Sequence, residues 1–248
     1  MSRMKRSPLI DVACDQFSEY SRKELLSMIY CRELDLQGSR PHDPRLLVPE
    51  DQCMSIITKP FVSRGGEKLL HALETWDIDV SGLDMLDAGS STGGFTHCLL
   101  QRGAARVTAV DVGYNQLDYT LRIDERVVVK ERTNIMDLDP GQDRFDAAVA
   151  DLSFRSIRGA ASHILSMTRH SWLIALIKPQ FELRDDPLFT GVVHDEAQRM
   201  QLIEEIVQDL ADEGVAVSAM TASPITGRKG NMEYLALLVP VTAAGEGQ

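Results

Sequence analysis

Charged residues stand at the ends of several apolar runs in this chain, and their types and order suggest chemistry at one edge of a fold. "LDMLDAGSSTGGFT" ends a run at Asp87 and passes through Gly89, Ser90, Gly93 and Gly94 into a helical pattern. "VTAVDVG" places Asp111 at the end of the next run, "FDAAVADLSF" ends on Asp151, "WLIALIKPQF" ends on Lys178, and "EYLALLVP" begins at Glu233. A Gly-rich turn that opens a helix is a ligand cradle, yet the dinucleotide spacing G-x-G-x-x-G and the P-loop Gly-Lys-Ser/Thr are both absent. A carboxylate two residues before the first glycine repels phosphate and suits a cationic ligand or a water-bridged amino group. A second carboxylate, at Asp111, can accept both hydroxyls of a ribose. The pattern asks for a positively charged nucleoside without phosphate. Taken singly, the turn reads as structural, and Asp111, Asp151 and Lys178 each read as solvated strand ends.

Such residues meet only if the elements bring them together. Apolar runs ending at Asp87, Val112, Val129, Asp151 and Lys178 alternate with helical stretches, notably 155–169 and 195–213, as in a doubly wound parallel sheet. "VAVSAMTAS" and "EYLALLVP" follow with no helix between them, only "PITGRKGNM", so they form an antiparallel hairpin at one sheet edge. In such a sheet ligands bind at the carboxyl ends of the strands where the winding reverses. The last strand runs antiparallel, so its beginning, at Glu233, falls on the edge where its neighbours end. With this helix-free C-terminal hairpin the expected fold is the Rossmann-like α/β sheet of class I methyltransferases, and the expected cofactor is S-adenosylmethionine.

Before Pro60 the organisation differs. "YSRKELLSMIYCRELDLQG" predicts a helix capped by Ser21 and a short strand around Leu34 and Leu36 that ends at Gly38. "GSRPHDPRLLVPED" is turn-rich, and "MSIITKPF" predicts a further strand leading into a linker. The expected division is a small α+β domain at 8–57, a linker at 58–63, a catalytic domain at 64–240 and a disordered tail at 241–248.

At 248 residues, 44% apolar and 25% charged, the chain can bury one substantial core beside a small module. No window is apolar enough to span a membrane and no secretory signal opens the chain, so the expected location is cytoplasmic. Cys14, Cys31, Cys53 and Cys98 have neither CxxC nor histidine at metal-ligand spacing, which argues against zinc and disulfides. The net charge of −11 is uneven: residues 1–68 carry 11 Lys and Arg against 10 Asp and Glu, and the remainder 15 against 27. Contact with nucleic acid would need a local basic patch on an acidic body.

"FVSRGGEKL", "LDAGSSTGGFTHCLLQRGA", "AVDVGYNQL", "VVVKERTNI", "AVADLSF", "ALIKPQFE" and "PITGRKGNMEYL", in that order over residues 61–239, resemble the TlyA (haemolysin A-like) ribosomal RNA 2'-O-methyltransferases, a branch of the FtsJ/RrmJ class. The first quarter more weakly resembles the S4 RNA-binding domain that precedes the catalytic domain in that family. Arg32 stands where a turn glycine is usual there, and Gln37 where asparagine is. The resemblance implies methyl transfer to ribose 2'-hydroxyls, of cytidine, in ribosomal RNA or a ribosomal subunit. It implies a catalytic set of Lys68, Asp151, Lys178 and Glu233, in which Lys178 takes or orients the hydroxyl proton and the two carboxylates hold the lysines and hydroxyl in line. Asp87, Gly89, Ser90, Gly93 and Gly94 would line the methionine side of the cofactor, Asp111 the ribose and Asn134 the adenine. RNA contacts would come from Arg64, Arg228 and Lys229, with Arg22, Lys23 and Arg32 in the S4-like module. His97, where the family more often carries an acid, reads as a neutral change on a helix surface. Three other readings stay open: a non-catalytic RNA-binding protein, a nicotinamide-dependent oxidoreductase lacking the usual glycine spacing, and a membrane lysin lacking an amphipathic basic helix.

Overall fold

Short strands that are apolar at consecutive positions, such as Ala147–Ala150 and Leu173–Ile177, give a sheet that must be covered on both faces, and the chain supplies helices for each. The computed structural model describes residues 5–57, 60–152, 156–183, 191–227 and 229–241. The chain divides between Lys59 and Pro60 into two compact units.

The first unit contains strand β1 (Arg6–Pro8), helices α1 (Leu9–Gln16) and α2 (Arg22–Tyr30), and strands β2 (Leu34–Asp35), β3 (Leu47–Pro49) and β4 (Ser55–Ile56). β1 pairs antiparallel with β3 and β2 with β4. Ser21 caps α2 as expected: its hydroxyl accepts the Glu24 N–H while the Glu24 carboxylate accepts the Ser21 N–H, a reciprocal capping box. Leu9, Val12, Ala13, Leu25, Ile29, Leu34, Val48 and Met54 form its core. Arg32 and Gln37, the positions where the family favours glycine and asparagine, both adopt left-handed backbone, with φ of 59° and 54°.

The second unit runs α3 (Gly65–Thr75), β5 (Asp84–Ala88), α4 (Gly94–Gln101), β6 (Arg106–Asp111), α5 (Tyr119–Arg122), β7 (Val127–Glu131), β8 (Ala147–Ala150), α6 (Ala160–Ser166), β9 (Leu173–Ile177), α7 (Glu196–Asp212), β10 (Val215–Ala222) and β11 (Tyr234–Pro240). The sheet order is β10-β11-β9-β8-β5-β6-β7, with β5 to β9 parallel and β11 antiparallel to both of its neighbours. The winding reverses between β5 and β8. The α6 helix is shorter than the 155–169 expected; residues 153–155 lie outside the described set, and Gly159 in left-handed conformation (φ 71°) precedes the first turn. Alternate strand residues divide two cores. Leu86, Ala148, Ala150, Ala175 and Ala236 pack with α6 and α7, and Met85, Ala147, Val149, Ile174 and Leu235 pack with α3 and α4. Phe61 belongs to the second of these cores, so the chain is already committed to this unit before Arg64. Of the tail expected at 241–248, Val241 donates to Gly214 O at 2.8 Å, and 242–248 lie outside the described residues.

Candidate active site

Among the described residues the buried lysines and acids are Lys68, Asp87, Lys178, Glu182 and Glu233. Placing charge in a core is costly unless it is paired. These residues gather around the carboxyl ends of the central strands. Asp151 and Lys178 are the first residues beyond β8 and β9, and the pairing of Tyr234 with Ile177 sets Glu233 at the same edge. Lys178 Nζ lies 2.5 Å from Asp151 Oδ1, donates to the Leu152 carbonyl at 3.1 Å and sits 5.7 Å from the Phe181 ring centre. Lys68, from α3, hydrogen-bonds Glu233 Oε2. The four charges of the implied catalytic set are thus two ion pairs carried by four elements. Asp151 is the most open of them, its side chain 26% exposed against 4% for Glu233.

Backbone and neutral side chains brace this half. A Cβ at Gly227 would strike Glu233 Oε1, so that turn lies directly on the carboxylate. Asn231, buried two residues before Glu233, accepts from Val193 N and donates to Gly191 O, each at 3.0 Å, and so staples the 191–193 segment to the 227–231 turn. Glu182 accepts from Ser156 Oγ and, at 3.0 Å, from Ile157 N, while Arg158 donates to the Glu182 carbonyl and pairs with Asp209. Burial raises the Glu182 pKa against these hydrogen bonds. Neither Asn231 nor Glu182 has a sequence signal of its own; both follow a charged motif residue and become visible only through their partners.

The other half is made largely of backbone. After β5, Gly89 (φ 85°) donates to Val110 O at 2.8 Å, and a Cβ there would lie 2.6 Å from the Asp151 carbonyl. The turn is therefore glycine because two strand ends converge at the reversal point. Gly94 passes close to Gly66 N on α3, and Gly93 (φ 97°) has no room beside Leu117 and Leu121. For these two glycines, packing alone accounts for the residue type. Ser90 is buried, and its carbonyl accepts from Gly93 N at 2.7 Å. Asp111 accepts from Ser91 N at 2.8 Å and Gly113 N at 2.6 Å, joining the turns after β5 and β6. Asn134 accepts from Met136 N at 3.1 Å and caps a short 3-10 turn beyond β7.

Asp87 is different. It is wholly buried, Thr96 Oγ1 donates to Oδ2 at 2.6 Å, and Oδ1 has no partner among the described residues. Burial pushes its carboxyl up to about 7, Thr96 opposes this, and Asp151 and Asp111 add to it. A buried acceptor left without a donor costs roughly 1–3 kcal/mol, so this carboxylate is suited to a ligand ammonium or a bridging water. With Asp111 at the neighbouring strand end and the turn between them, the donor set fits a cationic nucleoside.

The candidate RNA residues fall in both units. Arg64 is exposed immediately before α3, and Lys229 is exposed in the turn that covers Glu233; Arg228 lies outside the described residues. In the first unit Lys23 and Arg32 are exposed, whereas Arg22 is paired with Asp11 at 2.8 Å. His97 is not a simple surface residue: its half-buried ring accepts Val62 N at 3.1 Å through Nδ1 and meets Gln101 at 2.9 Å through Nε2. Burial lowers its pKa, opposed by Asp118, and it holds the chain before α3 against α4.

Residues 61–239 match the model of the FtsJ-like methyltransferases. The chain is similar to the 16S/23S rRNA (cytidine-2'-O)-methyltransferase TlyA of Mycobacterium tuberculosis, 39% identical over 221 residues covering 86% of this chain and 82% of that protein. It is 42% identical to Hemolysin A of Brachyspira hyodysenteriae over 183 residues, 71% and 75% of the two chains. A solved structure from Streptococcus thermophilus, provisionally labelled a hemolysin, superposes with a TM-score of 0.72 at 30% identity, covering 97% of this chain and 90% of that one.

Proposed function

Since this chain belongs to the FtsJ-like methyltransferase family, in its TlyA (haemolysin A-like) branch, we propose that its carboxyl edge transfers methyl from S-adenosylmethionine to ribose 2'-hydroxyls of ribosomal RNA. Cytidine is the nucleoside named for the Mycobacterium relative and is the substrate proposed here. The observation that carries the reading is the pair of ion pairs, Lys178–Asp151 and Lys68–Glu233, with a buried carboxylate oxygen, Asp87 Oδ1, that lacks a donor among the described residues.

S-adenosylmethionine, when bound, supplies a methyl activated on a sulfonium. Asp87 would hold its amino group, Asp111 its ribose and Asn134 its base, with the Gly89–Gly94 turn beneath. A ribose hydroxyl is a poor nucleophile until its proton is held or removed, and in-line attack demands a fixed position. Lys178 Nζ is the atom proposed to meet that proton, because Asp151 and the Leu152 carbonyl fix it from two sides. Lys68 and Glu233 fix the opposite wall, and Lys229, Arg228 and Arg64 are proposed to draw in the RNA. Methyl transfer of this kind calls for no metal.

The first unit is proposed to be a divergent S4-like anchor, with Lys23, Arg32 and Arg22 as contacts. Removing residues up to 59 should raise the Michaelis constant for RNA more than that for the cofactor. No described helix is long and apolar enough to cross a membrane. A cytoplasmic place beside ribosomal subunits follows from the proposed substrate. The deciding experiment incubates ribosomal RNA, and separately 30S and 50S subunits, with methyl-labelled S-adenosylmethionine and maps the product. Label on a cytidine 2'-oxygen is expected; label on a base, or none on any RNA, sinks the reading.

A further inference from the structure

Six lysines and arginines lie between residues 102 and 132, beside five acids, in a chain whose net charge is −11. Five meet a carboxylate: Arg102 with Glu74, Arg106 with Asp84, Arg122 with Glu131, Arg126 with Asp124 and Lys130 with Asp143. Arg132 has no carboxylate partner among the described residues. Its guanidinium lies instead 4.0 Å from the centre of the Tyr114 ring, and Tyr114 is 64% exposed. The backbone beneath is unusual as well. Arg132 adopts φ 54°, with Ser91 at 47° and Asn115 at 56°, in the three loops that meet around Asp111. L side chains rarely take this conformation, and such strain persists where the surroundings impose it, often at sites that bind. Arg132 N donates to Gly113 O at 2.9 Å, which fixes the arginine loop to the tyrosine loop.

A guanidinium stacked on an aromatic face is oriented and keeps its N–H edge for a planar, bidentate acceptor, of which phosphate is one. We propose that the Tyr114–Arg132 pair is an RNA-contact point that takes a phosphodiester of the substrate on the guanidinium edge. This rests on the RNA reading above. Tyr114 follows β6 and Arg132 follows β7, three and four strands from β9. At about 4.8 Å per strand that is roughly 14–19 Å from Lys178, so the phosphate belongs to a nucleotide away from the methylated ribose. The substrate would then cross the carboxyl edge from the 227–231 turn to the β6–β7 side. Contact at both ends would align the chain over the two ion pairs.

Arg132→Gly is the informative variant, since glycine adopts φ 54° without cost and only the guanidinium is lost. With an RNA that the wild type methylates, its Michaelis constant for RNA should rise about tenfold, and the slope of log affinity against log salt should shrink by about 0.7–0.9, one phosphate's worth. Turnover and S-adenosylmethionine affinity should stay within about twofold. Arg132→Lys should fall between, and Tyr114→Leu should weaken RNA binding in the same direction by less, because the charge survives without its platform. Unchanged RNA affinity and salt slope in Arg132→Gly overturn the proposal. So does a loss confined to cofactor affinity, which would assign the pair to the wall of the nucleoside pocket. If the wild type methylates no RNA, the functional reading fails first, and that is seen in the wild-type arm before any variant is compared.

Discussion

On the β8, β9 and β11 side of the carboxyl edge, four long or acidic side chains neutralise one another in two ion pairs, each held in place by strands or by a helix. On the β5 and β6 side, by contrast, the candidate groups belong mainly to turns, glycines stand where neighbouring backbone or side chains leave no room for a Cβ, and the buried Asp87 Oδ1 lacks a donor among the described residues. The first half is complete by itself, and the second is completed by what binds it. In the proposed roles, charges that act on a proton are kept in fixed geometry, whereas the half proposed to hold the cofactor retains unfilled hydrogen-bonding capacity to be used on binding. That contrast predicts different losses when each half is cut.

The largest effect is expected at Lys178. Lys178→Ala and Lys178→Arg should each lose on the order of a hundredfold or more in turnover, the scale for a positioned acid-base group, with near-normal cofactor affinity. Arginine keeps the charge but not the point geometry against Asp151 and the Leu152 carbonyl. A Lys178→Ala protein that still methylates a 2'-hydroxyl at near wild-type rate would break the division between the halves.

Next comes Asp111→Ala, measured by calorimetric titration with S-adenosylmethionine. A loss of roughly 1–3 kcal/mol is expected, from hydrogen bonds to a charged acceptor. Part of that is structural, since Asp111 also holds Ser91 N and Gly113 N. Unchanged affinity would remove Asp111 from the site.

The last effect, up to about tenfold in cofactor affinity per pH unit, sharpens the contrast through pH. Asp87 is raised from 3.8 to about 7 by burial. Between those values the folded chain keeps a proton that the unfolded chain has lost. Stability without cofactor therefore falls as pH rises from about 4 to about 7 and is level beyond, by at most ~4 kcal/mol. Asp87→Asn should flatten this dependence, read as melting temperature at pH 5 and pH 8. A ligand ammonium that favours the ionised carboxylate should bind more tightly as pH rises towards 7, by up to about tenfold per unit, and level off above it, and Asp87→Asn should lack that slope. Identical slopes in both proteins would mean that Asp87 does not meet the amino group.

Much of this edge was legible because strand ends are marked in sequence: Asp111 is a terminal strand residue, Asp87 is the penultimate residue of β5, and Asp151 and Lys178 fall one residue past their strands. The antiparallel return of β11 could be inferred from a missing helix, which brought Glu233 to the edge. Which lysine takes which carboxylate could not, since convergence fixes proximity and not pairing. The Ser21 cap was readable from a three-residue spacing. The β1 and β3 strands were not, because each has three residues and they pair across some 40 positions of turn-rich chain. His97 was misread for the same reason: its partner, Val62, is 35 residues away and offers only a backbone N–H.

The contact between Lys68 and Glu233 joins positions 165 residues apart, whereas the turn around Asp87 and Asp111 is closed by strands that follow one another directly. Closing the longer loop costs more chain entropy, and such non-local pairings form late. During refolding, or as the polypeptide is synthesised, the nucleoside cradle can therefore take shape before β11 slots between β9 and β10. A partly folded domain would recognise its methyl donor while lacking one wall of the reaction centre. Recovery of methyl transfer, and not of cofactor binding, is accordingly the measure of complete folding.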